Sequence, residues 1–91
     1  MAHVVVQLKI MPEDPEVSLD YILEEVKQAI EDFGGEFNKA DEEPVAFGLK
    51  ALKVFFVMDE ENSNLDPLEK TISGIKGVNS VNVEDVRRLF G

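Results

Sequence analysis

The residues that could do chemistry in this chain are few, and their types exclude most reactions before any fold is considered. There is no cysteine, which removes disulfides, thiolate nucleophiles and cysteine metal sites together. His3 is the one histidine. It has no second histidine or cysteine with which to share a metal, and it reads as an exposed terminal residue. No spacing around it suggests a Ser-His-Asp arrangement. Two acidic triplets occur, Asp41-Glu42-Glu43 and Asp59-Glu60-Glu61. A calcium loop needs a defined ligand rhythm with a glycine at the bend, and neither triplet has it, so both read as solvated loops. No glycine-rich loop of the phosphate-cradling or dinucleotide-binding kind is present, so the chain by itself has no place for a nucleotide. The aromatic residues do not form the pattern of an RNA-recognition sheet. No catalytic residue, metal site or cofactor is expected.

Two features remain. Phe47 precedes Gly48 between an acidic polar segment and a strongly apolar one. It either packs in the core or stands at a loop tip as an aromatic anchor for a partner's pocket. Arg87 and Arg88 are the only adjacent basic pair. They are either a solvated tail or a basic probe aimed at phosphate or acidic groups.

These residues must be positioned by a small number of elements. Val4 to Ile10 alternates as a strand, with Val4, Val6, Leu8 and Ile10 on one face and Val5, Gln7 and Lys9 on the other. Pro12 and Pro15 punctuate the loop that follows. Ser18 is the expected N-cap of a helix in which Leu19, Ile22, Leu23, Val26, Ile30 and Phe33 recur at helical spacing. Val17 and Ile22 stand where a hydrophobic staple would put them, and Gly34-Gly35 ends the helix. Glu36 to Glu43 is a weak polar strand, suited to a sheet edge. Leu49 to Met58 is the most apolar strand and belongs at the centre. A second helix opens at Asp66, Pro67 and Glu69, with Asp66 and Glu69 as a capping-box-like pair and Leu65, Leu68, Ile72 and Ile75 as its apolar side. Val78 to Val86 is the last strand, with Val81 and Val83 on one face, and residues 87–91 form a tail. The order strand, helix, strand, strand, helix, strand predicts an α+β ferredoxin-like sandwich. Its four-stranded antiparallel sheet has order 4-1-3-2 and carries both helices on one face.

Length and charge bound the function. With 91 residues the chain is expected to form one domain over residues 1–91, with little room for both a core and a deep cleft. The net charge is −10, from 19 acidic and 9 basic residues. Such a field repels nucleic-acid backbones and anionic lipid, and suits a protein partner with a basic face. It also serves plain solubility. The first residues lack the basic and apolar regions of a signal peptide, and no apolar run reaches the ~20 residues of a membrane span. A cytoplasmic protein is expected, with no direct nucleic-acid or membrane partner.

Three segments carry a resemblance: Val6-Gln7-Leu8-Lys9-Ile10-Met11-Pro12; Asp41 to Leu52, with Pro44-Val45-Ala46-Phe47-Gly48-Leu49 at its centre; and Ser73 to Val78 with Val83 to Leu89. In these the sequence resembles the archaeal elongation factor one beta family and the guanine-nucleotide exchange domain of its eukaryotic counterparts, over essentially the whole chain. The resemblance implies the ferredoxin-like fold again. It implies a partner, the elongation factor one alpha GTPase, which binds the GDP, GTP and magnesium, and a role in speeding GDP release and GTP reloading during translation elongation. It implies no bond-making chemistry in this chain. The family's loop phenylalanine matches Phe47. Eukaryotic members direct a lysine near the C-terminus at the magnesium site. Here Arg88 stands at the nearest matching position with Arg87 beside it, and arginine's planar, permanently charged fork does not simply replace lysine. Eukaryotic members also carry further N-terminal regions, and this chain is expected to act without them. A small-molecule-binding regulatory module on the same fold is the competing expectation, and an acylphosphatase-like enzyme a third, because fold alone does not choose among them.

Overall fold

Strict alternation of apolar and polar residues makes the first strand. In the computed structural model, which describes residues 2–62 and 64–89, β1 runs His3–Pro12. Val6, Leu8 and Ile10 are fully buried on one face and Val4 nearly so, as the two-residue side-chain period requires. Helix α1 spans Leu19–Phe33. Ser18 caps it, its Oγ accepting from the Tyr21 backbone N–H at 3.2 Å, which satisfies one of the helix's orphan donors. Val17, just before the cap, packs against the core to which Ile22 belongs. Gly34 stops the helix with φ 101°, a left-handed conformation that returns its N–H to the Ile30 carbonyl.

The remaining elements are β2 (Glu36–Pro44), β3 (Lys50–Asp59), α2 (Asp66–Ser73) and β4 (Val78–Leu89). The strands form one antiparallel sheet of order β2-β3-β1-β4. This is the predicted ferredoxin-like α+β arrangement, with the polar β2 at an edge and the two most apolar strands central. Ile22, Val26 and Ile30 of α1 and Leu68 and Ile72 of α2 share a core with Val6, Leu8, Ile10, Val54 and Phe56. Both helices therefore cover the same sheet face. Among the described residues no polar side chain is buried, so the interior asks for no side-chain hydrogen bonds.

Four expectations need correction. Arg87, Arg88 and Leu89 are not a loose tail. β4 continues through Leu89, with Arg87 opposite Val5, Arg88 opposite Val4 and Leu89 opposite His3. The cause is β1, which starts as early as His3 and offers main-chain partners that a tail would otherwise leave to water. Phe90 and Gly91 lie outside the described residues. The capping box at α2 does not form. Leu65 occupies the cap position, because the Glu69 N–H already bonds the Leu65 carbonyl. The Asp66 N–H is instead met by Asn64 Oδ1 at 3.2 Å. Asp41-Glu42-Glu43 is part of β2, not a loop, and Asp59-Glu60-Glu61 spans the end of β3 and a short 3₁₀ turn, Glu60–Asn62. Finally, Leu19, Val81 and Val83 are only partly buried at the margin of the core, whereas Phe56, Met58, Ala29 and Val78 join it.

Candidate partner-binding surfaces

The β2–β3 connection, Val45–Leu49, is closed by a tight turn. The Leu49 N–H bonds the Ala46 carbonyl at 3.2 Å, and the Val45 N–H bonds the Leu49 carbonyl at 2.8 Å. Phe47 and Gly48 sit between them with φ 61° and 75°. Positive φ at both central positions is the type I′ geometry, which matches the twist of the flanking strands and favours Asn-Gly. Phe47 is the one non-glycine with positive φ among the described residues, and its side chain is 93 % exposed. This rules out core packing. A large apolar ring is held out in water on a backbone that L-residues resist, so neither local conformation nor burial explains a phenylalanine here.

The opposite end of the sheet holds the arginines. The β1–β4 register slips between Gln7 and Leu8: Leu8 faces Val83 and Gln7 faces Asp85, leaving Glu84 as an extra residue in β4. This is a β-bulge. Beyond it Val86 is opposite Val6 and Arg88 opposite Val4, so both project on the helix-covered face. Val86 lines a hollow of about 210 Å³ with Val4, Val6, Met58, Leu65 and Glu60. Arg88 Nη2 donates to Glu60 Oε1. Arg87, opposite Val5, takes the open face, where its Nε lies 2.6 Å from Asp85 Oδ2. Adjacent in sequence, the two arginines are thus on opposite sides of the sheet. The ten residues of β3 put about 30 Å between Phe47 and Arg88 at the usual strand rise, within a molecule 42 Å long.

Between these ends the open face carries a charged ladder. Lys53 Nζ lies 2.6 Å from Glu43 Oε2 and 3.4 Å from Glu84 Oε1. Gln7 Nε2 donates to the same Glu84 oxygen at 3.3 Å. One residue from each strand is linked across the sheet. The hydrogen bond and charge of Lys53 hold the Glu43 carboxyl below its ordinary pKa. The hydrogen bond that Lys53 donates to Glu43 raises its own pKa, partial burial opposes it, and the charges of Glu43 and Glu84 add to the rise. Nothing here arranges a nucleophile against a base.

The sequence of the chain matches the family described as EF-1 guanine nucleotide exchange domain, over residues 5–89. The chain belongs to that family. An Elongation factor 1-beta from Methanothermobacter thermautotrophicus is 44 % identical over 90 residues, covering 99 % of this chain and 100 % of the relative. An Elongation factor 1-beta from Staphylothermus marinus is 42 % identical over 90 residues, covering 98 % and 99 %. Among solved structures, the C-terminal domain of the MgtC protein from Mycobacterium tuberculosis superposes with TM-score 0.66 at 15 % identity, covering 88 % of this chain and 84 % of that one. The de novo designed protein Foldit4 gives 0.61 at 16 % identity, covering 98 % of each chain. At such identities these two likenesses concern the fold alone.

For this member of the exchange-domain family, reading the residues singly missed the bulge, the Arg88–Glu60 pair and the Lys53 ladder. A signal for the bulge is present. The apolar residues of β4 change phase twice, from Val78 at an even position to Val81 and Val83 at odd ones, where the register slips between Met11 and Pro12, and then to Val86 at an even one. A strand cannot change phase without an inserted residue. The Glu60 and Lys53 contacts join residues far apart in the chain and carry no local signal.

Proposed function

We propose that this chain, as one unit over residues 1–91, promotes GDP release and GTP reloading on the elongation factor one alpha GTPase during translation elongation, in the cytoplasm. It makes and breaks no covalent bonds of its own. GDP, GTP and magnesium belong to the partner, and neither nucleic acid nor a membrane is contacted directly. The observation that carries this reading, in a chain of the exchange-domain family, is Phe47: almost wholly exposed, on a left-handed turn at the end of a rigid hairpin. A buried aromatic anchor is a common source of binding energy between proteins, and a hairpin tip delivers it with little loss of freedom.

An exchange factor works by binding the nucleotide-poor state of its partner more tightly than the loaded one. Phe47 supplies affinity. Arg88, with Arg87 the second candidate, reaches the magnesium and phosphate region and supplies the difference between states. Loss of labelled GDP from the purified GTPase, with catalytic amounts of this protein, tests the whole reading. Phe47→Ala is expected to weaken binding by about 1–2 kcal/mol while the thermal transition stays cooperative. Unchanged affinity in that variant discards the anchor.

A further inference from the structure

The bulge at Glu84 decides which of two neighbouring arginines faces the helix side of the sheet. Consider β4 without it. Regular pairing beyond Val83 and Leu8 would set Glu84 opposite Gln7, Asp85 opposite Val6, Val86 opposite Val5, Arg87 opposite Val4 and Arg88 opposite His3. A carboxylate would then lie beside Val6, which is fully buried, and Val86, half exposed at the rim of the hollow it shares with Val4, Met58 and Leu65, would turn to the open face. Both changes are unfavourable. Taking up one extra residue avoids them. The extra residue is also held: Glu84 receives the Gln7 amide at 3.3 Å and faces Lys53 Nζ at 3.4 Å. The result brings Arg88, not Arg87, opposite Val4 and into contact with Glu60.

We infer that the Glu84 bulge is a phase-setting device and that Val86 is the positioning residue that enforces it, selecting Arg88 over Arg87 for the partner. This rests on the reading that an arginine of this pair contacts the GTPase, and it explains why one does and the other does not. Because both residues are arginine, a one-residue change of phase leaves an arginine opposite Val4 in either case. Shifting the phase therefore exchanges their roles and does not abolish the activity.

The test exchanges the two residues that set the phase. Asp85→Val with Val86→Asp makes the unbulged pairing the one that keeps the carboxylate out of the core. NMR cross-strand contacts report the register directly, with residue 87 in place of residue 88 opposite Val4. In the native background Arg88→Ala is expected to lower the maximal rate of GDP release at least tenfold, and Arg87→Ala less than threefold. In the exchanged background the order reverses. The GTPase concentration giving half the maximal rate, governed by Phe47, moves less than threefold throughout. A second variant covers misfolding of the first: deletion of Glu84 removes the bulge yet keeps Val86 opposite Val6, so the dependence must stay with Arg88. A shifted register without reversed dependence overturns the inference, and so does a dependence that passes to Arg87 on deletion of Glu84. If neither arginine matters in the native background, the contact assigned under the proposed function fails, while the NMR register still tests the bulge.

Discussion

At the scale of single residues, Phe47 is where local preference and the folded structure disagree. An L-residue in the left-handed region costs about 1–2 kcal/mol, and the ring gains almost no burial in return. Conflicts of this kind concentrate at functional sites. Asparagine tolerates that backbone and completes the Asn-Gly pair that type I′ hairpins favour. Phe47→Asn is therefore expected to stabilise the free protein by about 0.5–1 kcal/mol, which for a domain of this size raises the thermal midpoint by about 2–8 °C. The same change should weaken the GTPase complex. Thermal melts by circular dichroism, read beside the GDP-release assay, check both halves. A lower midpoint would mean that the ring supports the turn after all.

At the scale of elements, the sheet is held by two different sets of contacts on its two faces. The helix side is held by the apolar core, whereas the open side is tied by Glu43, Lys53, Gln7 and Glu84, one from each strand. The pH dependence of that tie follows from the shifts. Glu43 has its pKa lowered in the folded protein, so its contribution is present above the unfolded value and lost as pH falls through the folded one. Lys53 has its pKa raised, so its contribution is complete below the unfolded lysine value and lost as pH rises through the folded one. The stability gap between the native protein and Lys53→Met should be widest between those limits and narrow on both flanks, and added salt should reduce it. Urea midpoints across an acid-to-alkaline series measure this. A gap that ignores pH and salt would assign the effect to the packing of the lysine stem.

At the scale of the whole molecule, the long axis separates two tasks. Phe47 stands at one end, and Arg88 is near the other by the length of β3. Under the proposed function, groups that far apart act as two linked contacts, in which the anchor raises the effective concentration of the second at its target. Substitutions should then separate kinetically. Phe47→Ala raises the concentration needed for half-maximal exchange. Arg88→Ala lowers the maximal rate by about tenfold or more, equivalent to 1.4 kcal/mol, and higher free magnesium opposes the native protein. Point substitution is the proper test here, because truncation after Val86 would also remove the pairing of residues 87–89 with β1. Equal effects of both substitutions on both kinetic terms would argue for one continuous contact.

The sequence by itself determined the elements, their order and the sheet topology. These follow from periodicities of two and 3.6 residues, from Ser18 and Gly34 at the ends of α1, and from the contrast between a polar β2 and an apolar β3. It also singled out Phe47, Arg87 and Arg88, on residue type and family resemblance. Tertiary structure alone decided what becomes of them. Whether Phe47 is core or tip depends on the twist match of a type I′ turn, which places both central residues at positive φ regardless of side-chain preference. Whether residues 87–89 are tail or strand depends on how far β1 extends beside them. Which arginine meets Glu60 depends on a register slip that keeps Val86 on the apolar side and Asp85 off it. The last two outcomes are set by partners 28 or more residues away along the chain, and local patterns do not reach that far.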